Sequence, residues 1–150
     1  MAVDYQNWWK LINQMLMRKV RAEFSSSIPI TLGDNTEKNK GSQYFIIKPA
    51  SSSVLEWTAD LETREYNYTI HYINEGGIAD TKRFEHIMSV ASRLEAVILN
   101  SLVVALEDKS QTNLYDCKIT STEFDVGDDD DPYTVQFDLS CTHSHIIAEL

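Results

Sequence analysis

The chain has 150 residues, with thirteen Lys plus Arg against twenty-three Asp plus Glu, a formal net charge of −10 and a pI near 4.7; that balance argues against a sequence-independent grip on nucleic acid or an anionic membrane. With 43% hydrophobic residues, among them seven Tyr, five Phe and three Trp, it has the apolar mass for a single domain over 1–150 with a sizeable core. Two Cys are too few for a disulfide framework, the start MAVDYQNWWK lacks the basic end and apolar run of a signal peptide, and the best apolar run, 96–106, is interrupted by Asn100 and Ser101 well short of the ~18 residues a membrane span needs, so a reducing cytosol is expected.

From Asp4 to Phe24 the residues Trp8, Leu11, Ile12, Met15, Leu16 and Val20 recur at helical spacing, with Lys10, Asn13, Gln14, Arg18, Lys19 and Arg21 elsewhere on the wheel. Asp4 is the expected N-cap, and SSSIP at 25–29 ends the helix. Trp9 and Met17 lie off the main stripe, which suits deep burial or a contact with another subunit.

Short β-type runs follow: IPITL at 28–32, QYFIIK at 43–48, SVLEWTAD at 53–60 and REYNYTIHYI at 64–73. DNTEKNKGS at 34–42 reads as a surface loop and PASSS at 49–53 as a break between two strands. In the fourth run Tyr66, Tyr68, Ile70 and Tyr72 alternate with Asn67, Thr69 and His71, the period-two signature of a half-buried strand. Glu75-Gly76-Gly77 marks a turn, Asp80 or Thr81 is placed to cap a second helix, and Phe84, Ile87, Met88, Ala91, Leu94, Val97 or Ile98, and Leu102 carry its stripe to an end near Leu106.

After a polar connector at 107–113, the runs 114–126 and 132–146 flank Gly127-Asp128-Asp129-Asp130-Asp131 and predict a closing β-hairpin. Centred on Asp129, the register sets Cys117 opposite Cys141, Ile119 opposite Leu139, Ser121 opposite Phe137 and Glu123 opposite Val135, with Lys118, Thr120, Thr122, Gln136, Asp138 and Ser140 on the other face. The fold class is therefore α+β: a mainly antiparallel sheet packed against an N-terminal helix and a long crossing helix.

The excess charge is local. Residues 1–106 hold twelve acids and eleven bases, net −1, whereas 107–150 hold eleven acids and two bases, net −9. The Asp run lacks the alternation and terminal Glu of an EF-type loop, so a solvated hairpin tip is the favoured reading over a metal site. His143 and His145, two apart on a strand, share a face, yet no third ligand lies nearby in sequence, and a structural role is favoured; His71 and His86 are isolated. Cys117 and Cys141 are expected as reduced core thiols rather than a disulfide. The sequence has no phosphate loop, GxSxG, HExxH or CxxC, so neither a catalytic residue nor a cofactor is expected. The wealth of Trp and Tyr points to at least one assembly contact.

The element order, carried by DYQNWWKLINQMLMRKVRAEF, IPITL, QYFIIKP, REYNYTIHYI, TKRFEHIMSVASRLEAVILNSLVVAL and the final hairpin, resembles that of bacteriophage tail terminators and the related tail-completion, or neck, proteins. The resemblance covers the whole chain and implies a non-enzymatic subunit of a virion. It also implies a homo-oligomeric ring, usually of six, that caps the tail tube and meets the tube protein and the neck, or head–tail connector, protein, after assembly in the host cytoplasm. A ring through which DNA passes without specific binding should present negative charge to phosphates. Asp128, Asp129, Asp130 and Asp131 are therefore expected to face the channel, and Trp8, Trp9 and the loop residues Asp34, Lys38 and Lys40 to meet neighbours. A monomeric acidic adaptor or inhibitor that fills a partner's basic surface is the alternative.

Overall fold

A computed structural model describes residues 7–24, 27–33, 42–75, 80–99, 103–105, 113–126 and 132–146. Helix α1 spans Trp8–Phe24, followed by strands β1 (Ile30–Leu32), β2 (Gln43–Trp57) and β3 (Leu61–Asn74), helix α2 (Asp80–Leu99), and strands β4 (Val103–Ala105), β5 (Asn113–Val126) and β6 (Tyr133–Ile146). The six strands form one sheet in the order β1-β2-β3-β6-β5-β4. All neighbours are antiparallel except β1 and β2, which run parallel. This is the expected α+β architecture. No described helix is long and apolar enough to cross a membrane.

Asn7 sets the start of α1: its Oδ1 accepts from the backbone N–H of Lys10 at 3.1 Å, so Asn7 takes the capping role expected of Asp4, a residue outside the described set. Asn is among the strongest N-caps because its short carbonyl reaches an otherwise orphaned N–H of the first turn. The buried arc of α1 holds Ile12, Met15, Leu16, Val20 and Phe24, and it also takes in Met17 and Asn13. Asn13, expected on the polar side, is only 6% exposed. The helix-facing side of the sheet supplies Phe45 and Ile47, then Tyr66, Tyr68, Ile70 and Tyr72, then Val135, Phe137, Leu139 and Cys141, so the period-two pattern of β3 is borne out.

Strand β2 differs most from its sequence signal. It runs unbroken for 15 residues, about 50 Å at strand rise, through the PASSS stretch read as a break. Strand β1 flanks only Phe45 to Ile47, so beyond it β2 is an edge strand. Proline's missing N–H leaves no ladder bond unmade at such an edge, and register shifts at Pro49/Ser51 and Val54/Glu56 absorb the irregularity. The strand turns into β3 through Thr58, whose N–H donates to the Leu61 carbonyl at 2.8 Å and whose Oγ1 accepts from the Leu61 N–H at 3.0 Å.

Helix α2 ends at Leu99 rather than near Leu106, and Val103–Ala105 forms β4, an element the periodic stripe concealed. Asn100 and Ser101 disfavour helix, while Val103 and Val104 favour strand. The caps expected at Asp80 or Thr81 fall on side chains outside the described set.

The closing hairpin holds the expected pairing at Ile119 with Leu139 but then slips by one residue. Ser121 pairs with Asp138, Thr122 with Phe137 and Phe124 with Val135, so the Ser121–Phe137 and Glu123–Val135 pairs do not form. The bulge between Ile119 and Ser121 turns Thr122 and Phe124 toward the helices and Glu123 toward the polar face, a parity an unbulged strand would reverse. A second shift lies between Tyr115 and Lys118, where Asp116 takes a φ of +55°, a conformation short polar side chains tolerate.

Candidate assembly surfaces

Trp8 and Trp9 are half-buried against the chain's own sheet. The Trp8 ring lies 4.3 Å from the His143 ring, and Trp9 stands edge-on to Tyr66 and Tyr68 at 4.9 and 5.5 Å. Tyr68 Oη donates to the Trp9 carbonyl at 2.8 Å, which locks the first turn of α1 to β3. Much of each indole thus supports the fold, and only the remainder is open to a neighbour. Asp34, Lys38, Lys40 and the run Asp128 to Asp131 lie outside the described residues.

His143 is fully buried under Trp8, and the side chain of His145 lies outside the described set. Among the described residues no three His, Cys, Asp or Glu side chains gather as metal ligands. Cys117 and Cys141 are buried free thiols; a hydrogen bond with Cys117 that favours the protonated form, followed by burial, holds the Cys141 thiol far above its ordinary pKa.

A polar network at the end of the sheet escaped the sequence reading. Tyr72 Oη donates to Gln43 Oε1 at 2.5 Å, His86 Nε2 meets the same oxygen at 2.8 Å, and Asn74 Nδ2 donates to Tyr72 Oη at 3.1 Å. Arg83, 4% exposed, donates to Asn74 Oδ1 at 3.1 Å and to the Asn74 carbonyl at 2.7 Å, with its guanidinium 3.7 Å from the Tyr133 ring centroid. Burial is the main reason the Tyr72 phenol titrates above its usual range. The groups satisfy one another in a partly buried cluster, with Tyr72, Asn74 and Arg83 buried and Gln43 and His86 at its margin, so the cluster ties α2 to β2, β3 and β6. Its members run from Gln43 to Tyr133 in the chain, and no local spacing announces them.

Three exposed surfaces remain. At the β2–β3 turn, Trp57 is 73% exposed beside the exposed Val54 and Leu55. On α2, Phe84, Met88, Glu95 and Leu99 share about 60° of the wheel, and all four are exposed. Thr122 Oγ1 donates to Glu95 Oε1 at 3.4 Å, which places this stripe beside β5, where Phe124 is 49% exposed. The apolar arc expected to bury Phe84 and Met88 is thus wider than the sheet covers. The third surface is a groove between α1 and β1: two adjoining hollows of about 650 and 350 Å³ share Lys10, Asn13 and Leu32. Arg18 and Arg21 line one end, and Trp9, Pro49 and Tyr68 the other.

No protein-family model and no curated protein matches the sequence. Among solved structures, one protein designated only by a sequence identifier superposes on 96% of this chain and 100% of its own at a TM-score of 0.61 and 15% identity. A chain from the virion of a native gene transfer agent particle aligns over 91% of each chain at a TM-score of 0.46 and 11% identity, too distant a superposition to argue from. The first likeness extends over the whole length and is one of fold.

Proposed function

We propose that the chain is a structural subunit of a long-tailed bacteriophage virion, which forms a ring, of six copies in the form its resemblance implies, that caps the tail tube and joins it to the neck. One observation carries the reading: a single small domain exposes large apolar side chains at two separate places, the β2–β3 turn and the α2–β5 border. Two distinct sticky surfaces on one subunit allow head-to-tail contacts, and such contacts close into rings. The element order matches the tail-terminator pattern, and the charge of −10 suits a ring that DNA traverses without being held. The tube protein and the head–tail connector protein are then its partners beyond its own copies.

Electron microscopy and native mass measurement of the purified protein, alone and with tail tubes, test the reading. Rings at a multiple of 17.2 kDa, free or seated on tube ends, are expected. A chain that stays single under both conditions, yet binds a basic protein with steep salt dependence, would make it an adaptor instead.

A further inference from the structure

The smaller hollow of the α1–β1 groove, about 350 Å³, has apolar walls in Trp9, Leu32 and Pro49, and the exposed Lys10 also lines it. Leu32 is 56% exposed, so this lining stays wet in a single copy. Asn13, only 6% exposed, lines the hollow as well. Its Nδ2 donates to Met17 Sδ at 3.3 Å, a weak acceptor, while its Oδ1 is buried and has no hydrogen-bond partner among the described residues. Such an oxygen has lost water without gaining a donor, the unfavourable state for a buried carbonyl. An occupant that fits must therefore bring a donor on an otherwise apolar body.

The chain carries such a group. Trp57 ends β2 and is 73% exposed, and an indole is a flat apolar body with one N–H donor and no acceptor. Its turn is already ordered: the Thr58 N–H donates to the Leu61 carbonyl at 2.8 Å, and Thr58 Oγ1 accepts from the Leu61 N–H at 3.0 Å. Docking this side chain thus orders little new backbone. A subunit cannot place Trp57 in its own groove, because Pro49 and Trp57 lie eight residues apart on one strand, about 26 Å at strand rise. The occupant must come from another copy.

We infer that the α1–β1 groove of one copy receives Trp57 of a second copy. The indole ring lies against Leu32 and Pro49, its N–H donates to Asn13 Oδ1, and the Lys10 ammonium sits over the ring face. Two different surfaces of the subunit meet, so the contact runs head to tail and generates a ring if its rotation closes. The inference rests on the ring reading and names the surfaces that hold the copies together.

Mixing two variants tests it. Trp57→Ala and Leu32→Asp should each abolish ring formation, while an equimolar mixture of the two should give a dimer of twice 17.2 kDa and nothing larger, because only the intact groove of one and the intact indole of the other can meet. Native mass and sedimentation give the readout, and circular dichroism confirms that each variant folds. Trp57→Phe keeps an aromatic face and loses the donor. It should raise the dissociation constant about ten-fold in the wild-type background and leave it unchanged in an Asn13→Leu background, where the acceptor is gone. Rings that persist in either Trp57→Ala or Leu32→Asp, a mixture that stays single, or an equal loss in both Trp57→Phe backgrounds would overturn the contact and leave the ring reading standing. A wild-type chain that never assembles, with or without tubes, would overturn both.

Discussion

Asn13 is a polar side chain placed in an apolar setting, only 6% exposed on the buried arc of α1. Among the described residues its Oδ1 has no hydrogen-bond partner, so Asn13→Leu should stabilise the fold by about 1 kcal/mol, measured as an upward shift of the urea midpoint. Asp138 works in the opposite sense. Its carboxylate accepts from Ser121 Oγ at 2.7 Å and from Gln136 Nε2 at 3.2 Å, and these bonds, Ser121's first, hold its pKa below the ordinary carboxylate value. A depressed native pKa adds stability above the unfolded value of about 4, and that stability drains away as pH falls through the native value. Asp138→Asn should therefore melt below wild type at pH 7, with the gap closing below about pH 4 in a thermal series.

Arg83 carries the corresponding argument for elements, because it is the strut between α2 and the sheet. It bonds Asn74 twice and caps the Tyr133 ring, so Arg83→Ala should cost about 2–4 kcal/mol through lost charged hydrogen bonds and a stranded Asn74. Amide exchange should accelerate first in α2 and the adjoining end of β3, while α1 stays protected. Helices and strands with one buried face were legible from periodicity, as α1, β3 and the core-facing residues of β6 show. The misread stretches share a cause: their conformation is set by neighbours distant in sequence. The PASSS stretch continues as strand because β1 stops at Leu32; the β5 bulge exists to bring Phe124 to the helix side. Asn13 looked polar because residue type and wheel position place it outside the stripe, and only the tertiary fold shows it 6% exposed. Among the expected contact residues, Trp8 and Trp9 were visible as aromatics, but their use against His143, Tyr66 and Tyr68 required the tertiary fold.

For the whole molecule the question is whether its exposed apolar surfaces serve contacts with other chains. The β2–β3 turn carries Trp57, 73% exposed, with the exposed Val54 and Leu55 beside it. A solvent-facing Trp contributes little to its own fold, because the area it would bury stays wet, whereas at an interface Trp is a preferred anchor. Trp57→Ala should therefore change the unfolding free energy by no more than about 0.5 kcal/mol. If the turn is a subunit contact, rings should weaken or fail to form. If it meets the tube, rings should form normally and fail to seat on tube ends. Ring mass and tube co-sedimentation measured on the same Trp57→Ala sample separate the two results, and a variant normal in both would remove the turn from the assembly surface.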